Sequence, residues 1–296
     1  MTRLIIGASG QVGALLFRLS REEQPRVGTY HRNSMPGLCH LDLRDFKAVR
    51  QLIQEVRPEV CYLPGALTFA DYAEAHAQEC NEINVLGTSH LARAMTEIEG
   101  LLVFFSTDHV FSDSPRSWKE DDPVSPLSVY AKSKAEAECI IREALPDQHL
   151  ILRTSWVFGP DPQKKNFFWR VRRTLEKGEE LIVPSDQHGQ PTFGPDLART
   201  ARQLVERGAR GTFHVVGPEC LSRLAWARLI GETLDLPTDL IQGRPTSTIP
   251  STASRPLNIR LERTKLLAYL GFDPIRSPQE ALQEMRLEII PAAGLA

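Results

Sequence analysis

Tyr130 and Lys134 stand four residues apart in the run SVYAKSK. If residues 129–145 form a helix, both side chains leave it on one face. Upstream, the apolar run from Leu101 to Phe105 ends in Ser106, Thr107 and Asp108. This pattern predicts a buried parallel strand that delivers polar groups at its carboxyl end, where open α/β sheets bind ligands. A hydroxyl, a phenol and an ammonium could then converge on one pocket. A free tyrosine, with a pKa of about 10, is a poor acid–base catalyst near neutrality. An ammonium nearby favours the phenolate and draws that value down. Such a pair suits proton transfer to or from a substrate oxygen. The plain alternatives are a chance tyrosine–lysine spacing and a Ser-Thr-Asp turn or cap.

These groups need elements to carry them. Arg3 to Ile6 read as a short strand, GASGQVG follows, and Ala14 to Leu19 continue as a helix. Strand, glycine turn and helix form the context of a dinucleotide site. Glycines let the backbone approach a pyrophosphate, and a helix start offers free N–H groups. Gly7, Gly10 and Gly13 are spaced G-x-x-G-x-x-G, not G-x-G-x-x-G, and a purely structural turn is the alternative. The second strand, Arg26 to Tyr30, leads into HRN without the acidic residue that takes a ribose 2′-hydroxyl in NAD sites. Arg32 could instead meet a 2′-phosphate, which favours NADP(H) and leaves NAD(H) possible. Asp42 and Leu43 would end a third strand beside the adenine, and Asp45 would cap a helix over 46–56. Residues 59–63 read as the next strand, and the small Gly65 and Ala66 after it allow close approach of a cofactor. A long helix over 77–97 carries Asn84, expected to brace the active-site strand without a direct part in the chemistry.

Residues 149–152 form another strand, and up to that point strands and helices alternate, which predicts a doubly wound parallel sheet of Rossmann type. The rhythm then changes. The chain divides into a NAD(P)-binding Rossmann domain (1–157 plus 193–217) and a smaller α/β substrate-binding domain (158–192 plus 218–296). A cleft between the two is an expected small-molecule site.

A chain of 296 residues has ample core for this arrangement. Its net charge of -2, with signs mixed along the chain, gives no argument for nucleic acid or an anionic membrane. Five scattered cysteines without C-x-x-C fit reduced thiols in a cytoplasmic protein. The opening MTRLIIGASG enters a strand at once, leaving no room for a signal peptide, and no apolar run is long enough for a membrane span.

With these residues in place, the chain resembles the extended short-chain dehydrogenase/reductases, and within them the dTDP-4-dehydrorhamnose reductase family. The resemblance rests on GASGQVG, STD-x-VF, PLSVYAKSK, ILRTSWVFG, DQHGQPT and TASRPLNIRL, and spans nearly the whole chain. It implies NADPH- or NADH-dependent reduction of the C4 ketone of a nucleotide-linked 6-deoxy sugar. By motif, Tyr130 is the proton donor, Lys134 holds the nicotinamide ribose and tunes Tyr130, and Thr107 hydrogen-bonds the reacting oxygen. Gly10, Gln11 and Val12 lie on the pyrophosphate, and Gly65, Ala66 and Leu67 lie near the cofactor ribose. Asp108 and Trp156 match positions that contact the sugar nucleotide. Arg255 matches the arginine of the SRP motif, and its fork suits a diphosphate.

The chain departs from the family pattern at His109, where a tyrosine is usual, and at LPGA, where NAAA is common. The position after Gly13 lacks the carboxylate some members use in metal-linked dimers, so no structural metal is expected. A homodimer, paired through helices such as 77–97 and 129–145, is expected. Two other readings share the architecture: a related sugar-nucleotide reductase or epimerase, and a non-catalytic NADP-binding subunit like the β subunit of methionine adenosyltransferase.

Overall fold

The alternating apolar runs assemble into one seven-stranded parallel sheet in the computed structural model, which describes residues 1–19 and 25–289. Its strands are β1 (Arg3–Ile5), β2 (Arg26–Tyr30), β3 (Cys39–His40), β4 (Val60–Leu63), β5 (Leu101–Thr107), β6 (His149–Thr154) and β7 (Gly211–His214). Their order across the sheet is β7-β6-β5-β4-β1-β2-β3. The direction of strand addition reverses between β1 and β4, and a crevice opens beyond the carboxyl ends of those strands. Every residue of β5 is buried, as a central strand covered on both faces requires.

Strand periodicity sorts side chains onto two cores. Ile5, Tyr62, Val103, Phe105 and Leu152 face one, and Leu4, Cys61, Leu102, Phe104 and Ile151 face the other. Helices α1 (Gln11–Leu19) and α6 (Gly194–Glu206) cover the first face. The second is covered by α2 (Phe46–Val56), α3 (Gly87–Met95) and α4 (Val129–Ala144). Asp45 caps α2 as expected, its carboxylate accepting a hydrogen bond from the Ala48 N–H at 3.1 Å. A third core joins α5 (Phe167–Glu176), α7 (Arg223–Thr233) and the strand Leu181–Pro184 around the buried Trp226, Phe158 and Phe168. Among the described residues no helix is long and apolar enough to cross a membrane.

The structure differs from the sequence reading in three places. The third strand ends at His40, so Asp42 and Leu43 lie on the turn beyond it. There Asp42 is engaged by the neighbouring Arg44, and the local pairing ends the ladder. The long helix over 77–97 is interrupted: Ala77–Asn81 passes into a π-helical turn, Glu82–Leu86, before α3 begins. Finally, Leu266, Leu270 and Ile275 pack into the core of the large sheet, although the division by sequence puts them in the smaller part. The helix Thr264–Leu270 returns to cover β7, whose apolar Phe213 would otherwise face water. Residues 20–24 and 290–296, also assigned by that division, lie outside the described residues.

One ion pair docks α4 onto β6. The Glu138 carboxylate, fully buried, accepts from Arg153 at 3.0 and 2.8 Å and from Arg142 at 2.7 Å. Arg153 is itself 1% exposed, so removing its counter-charge strands a cation in a medium that solvates it poorly. Glu138→Gln should cost about 3 kcal/mol of stability, read as a lowered midpoint in urea unfolding. An unchanged midpoint would show that the pair does not hold the helix.

Candidate active site

One cavity of about 900 Å³ runs along the carboxyl ends of the strands and collects residues from both parts of the chain. Its floor is the glycine turn after β1. Gly7 has φ 74°, a conformation that favours glycine. A Cβ there would sit 3.1 Å from the Cα of Gly65, on the loop after β4. A Cβ on Gly13 would come 2.2 Å from the Gly7 carbonyl oxygen. These glycines keep the turn tight and the two loops close, and α1 starts at Gln11 with its first N–H groups toward the cavity end of the sheet. The carboxamide nitrogen of Gln11 is buried without a hydrogen-bond partner. A pyrophosphate fits this cradle of small residues, free donors and a helix start. Gly7, Gly10, Gln11, Val12 and Gly13 all line it, and Gly65, Ala66 and Leu67 line the cavity beside them.

At the far end lie Arg32, Asp42 and Leu43. Arg32 is exposed and ion-paired with Glu79. Exposed pairs contribute little, so this one can give way to a 2′-phosphate. The Arg44 guanidinium, hydrogen-bonded to Asp42, lowers the Asp42 carboxyl to about 2.

Asn84 does brace the site, but not through the strand β5. Its carboxamide oxygen accepts from the Leu67 N–H at 2.8 Å, and its nitrogen donates to the Leu67 carbonyl at 3.0 Å and the Ser133 hydroxyl at 2.9 Å. It therefore ties the loop after β4 to α4, because the π-helical turn carries its side chain between them.

The helix α4 begins with Ser128, whose hydroxyl accepts from the Ala131 N–H at 3.2 Å. The cap sets the first turn so that Tyr130 and Lys134 both line the cavity, with Thr107 and Asp108 from the end of β5 opposite. The Thr107 hydroxyl donates to Asp108 Oδ1 at 3.1 Å, and Ser155 donates to Asp108 Oδ2 at 2.5 Å. His109 lies half-buried beside them with its Nδ1 unpartnered, its ring edge-on to Tyr130 at 6.5 Å.

Electrostatics here departs from the sequence expectation. Burial pushes the Tyr130 phenol up, and a hydrogen bond with Thr107 only partly opposes this. Burial also pulls Lys134 down from 10.5 to about 7, with Glu138 pulling the other way. The lowering of Tyr130 by the Lys134 ammonium that the spacing suggested does not appear; desolvation dominates, and only Thr107 opposes it. Lys134 Nζ lies 3.8 Å from the centre of the Phe104 ring and has no hydrogen-bond acceptor among the described residues.

The substrate end holds Trp156 and Arg255. Trp156 has φ 39°, uncommon for a bulky residue. A Cβ on Gly189 would come 2.4 Å from its indole, so the glycine of DQHGQPT makes room for it. The Arg255 fork is already occupied: Asp71 Oδ2 accepts from it at 2.5 Å, and that guanidinium holds the Asp71 carboxyl far below its usual range. Arg255 thus lines the cavity as half of an ion pair, not as the open fork that the sequence suggested. Arg223, at the start of α7, also lines the cavity and was not singled out by sequence. It follows a helix-capping serine in LSRL and reads there as a surface residue. Only the fold brings it to Trp156.

Sheet order, glycine turn and the tyrosine–lysine pair define a Rossmann-type site of the extended short-chain dehydrogenase/reductase class. The family model described as the RmlD substrate binding domain matches residues 1–289. A dTDP-4-dehydrorhamnose reductase of Streptomyces griseus is 33% identical, over 98% of this chain and 95% of that protein. One from Aggregatibacter actinomycetemcomitans is 32% identical over 97% and 99%. A solved structure of dTDP-4-dehydrorhamnose reductase from Bacillus anthracis str. Ames in complex with NADP is 28% identical, with TM-score 0.87 over 97% of this chain and 99% of that one. The chain belongs to the dTDP-4-dehydrorhamnose reductase family.

The depressed Lys134 makes a test in the cofactor-free protein. The unfolded chain binds this proton up to about pH 10.5 while the folded chain releases it above about 7, so stability should rise with pH across that window. Lys134→Met should be the more stable protein at pH 7 and should lose that share of the rise. Parallel stability–pH curves for the two proteins, from urea unfolding, would contradict it.

Proposed function

We propose that the chain reduces the C4 ketone of a dTDP-linked 4-keto-6-deoxy sugar with NADPH. The observation that carries this is the meeting of Thr107, Tyr130 and Lys134 in the cavity that also contains the glycine turn. Names of relatives over nearly the full length support the substrate class, and the NADP complex of the Bacillus anthracis relative supports the cofactor.

The bound reduced nicotinamide supplies the hydride. The protein's own residues do the rest. Gly10, Gln11 and Val12 present backbone N–H groups to the pyrophosphate, and Gly65, Ala66 and Leu67 let the adjoining ribose come close. Arg32 gives up its exposed pair with Glu79 to a 2′-phosphate. Lys134 Nζ, without another acceptor, holds ribose hydroxyls. Thr107 and Tyr130 present hydroxyls to the carbonyl oxygen. Tyr130 then delivers its proton to that oxygen as negative charge develops there. The phenol is protonated near neutrality, the state this direction of reaction requires, and burial does not draw the proton off. Asp108 and Trp156 flank the sugar. In this reading the large sheet binds the cofactor, the smaller part binds the substrate, and the chain works as a cytoplasmic homodimer.

The direct assay is loss of reduced-nicotinamide absorbance with NADPH and enzymatically made dTDP-4-keto-6-deoxy-L-sugar. Tyr130→Phe should lower turnover about 100- to 10,000-fold and leave NADPH affinity intact. Unchanged turnover would remove Tyr130 from the mechanism. Arg32→Ala should weaken NADPH about tenfold more than NADH, the worth of one charge-assisted contact. Equal losses for the two cofactors would show that Arg32 does not read the 2′-phosphate.

A further inference from the structure

Five cationic side chains line the cavity: Arg32, Lys134, Lys165, Arg223 and Arg255. Arg32 pairs with Glu79, and Arg255 pairs with Asp71. Lys134 lies beside Tyr130 on α4, against Phe104. Lys165 is exposed on the loop before α5. Arg223 is the half-buried exception. Its guanidinium carbon lies 3.4 Å from the centre of the Trp156 ring and 4.6 Å from that of Phe167. Packing between two aromatic rings fixes its place. Yet its guanidinium has no hydrogen-bond or ion-pair partner among the described residues. Asp108 is the carboxylate that influences it, but the two oxygens of Asp108 already accept from Thr107 and Ser155.

A guanidinium carries five N–H donors in a rigid fork and cannot satisfy them on aromatic faces. Partial burial of a cation between two rings, without an anion, is unfavourable, and burial lowers its pKa to about 9. An anionic ligand would relieve this. The reading above already calls for such a group near Trp156, because a nucleotide sugar carries a diphosphate directly joined to the sugar. Bidentate arginine–phosphate pairing suits the fork. We infer that Arg223, not Arg255, is the arginine that holds the diphosphate of the nucleotide-sugar substrate. This rests on the proposed function and adds a substrate-binding residue to it. Trp156 then has two duties: it flanks the sugar and it positions the arginine that clamps the diphosphate.

The test compares wild type with Arg223→Met and Arg223→Lys by titration with dTDP, thymidine and NADPH. Arg223→Met should weaken dTDP about 10- to 100-fold, the loss expected for charge-assisted hydrogen bonds. Thymidine and NADPH should bind as in wild type. Arg223→Lys should lose less, since it keeps the charge but not the fork. In the turnover assay Arg223→Met should raise KM with kcat largely kept. Unchanged dTDP affinity would overturn the inference while leaving the proposed function standing. Equal weakening of dTDP and thymidine would also overturn it, since that is the mark of a packing role through Trp156. Wild type that binds none of dTDP, UDP or GDP would overturn both this inference and the reading on which it rests.

Discussion

The two halves of the site keep their relative position through one carboxamide. Asn84 is 3% exposed and spends its oxygen and nitrogen on Leu67, behind the cofactor wall, and on Ser133, inside α4. Ser133 in turn donates to the Tyr130 carbonyl at 2.8 Å. The loop that faces the cofactor and the turn of helix that carries the phenol are thus joined through buried hydrogen bonds, which are costly to leave unmade. The π-helical turn at Glu82–Leu86 is what lets Asn84 reach both. Such turns are rare and occur often at functional sites. Just beyond it, Gly87 lets the helix approach Leu43, where a Cβ would be only 2.8 Å from the leucine Cβ. The same helix therefore supports the adenosine end as well.

Around this frame, burial decides the charge state of the reacting groups. Tyr130, Lys134 and Glu138 follow at four-residue intervals on α4 and meet progressively deeper surroundings. Glu138 is closed off and neutralised by Arg153. Among the described residues Lys134 has no carboxylate within ion-pair distance, and desolvation dominates it. Tyr130 is kept as a phenol. The arrangement favours a proton donor over a resting base, which fits reduction. At the other end of the cavity the arginines divide in the same way: Arg255 is neutralised by Asp71, and Arg223 is left for a ligand.

The sheet was legible because its strands are short, apolar and separated by helix-period segments, and the glycine turn stands in its expected context. Seventeen positions proposed from sequence, from Gly7 to Arg255, fall on the one cavity. What escaped depends on contacts between distant segments. Arg223 meets Trp156 only after the chain has folded back, and its own neighbours suggest no more than a capped helix. Gly189 owes its identity to the same indole. DQHGQPT and TASRPLNIRL stand out as motifs, yet part of their work is structural. The buried Gln190 donates to the Gly217 and Leu261 carbonyls and accepts from the Leu261 N–H at 2.7 Å. It staples the two motifs together beneath the substrate end. The tyrosine–lysine spacing was visible, but the sign of the tyrosine shift was not, because spacing reveals a neighbouring charge and hides the depth of burial.

In the proposed reaction a hydride reaches C4 of the sugar while Tyr130 supplies the proton. The most direct measurement uses NADPH deuterated at nicotinamide C4, on the transferring face, with dTDP-4-keto-6-deoxy-L-sugar in ordinary water. Mass spectrometry and proton NMR then locate the label in the product. One deuterium, on C4 of the sugar, is the expected result. A product without deuterium, or with the label on another carbon, would contradict it.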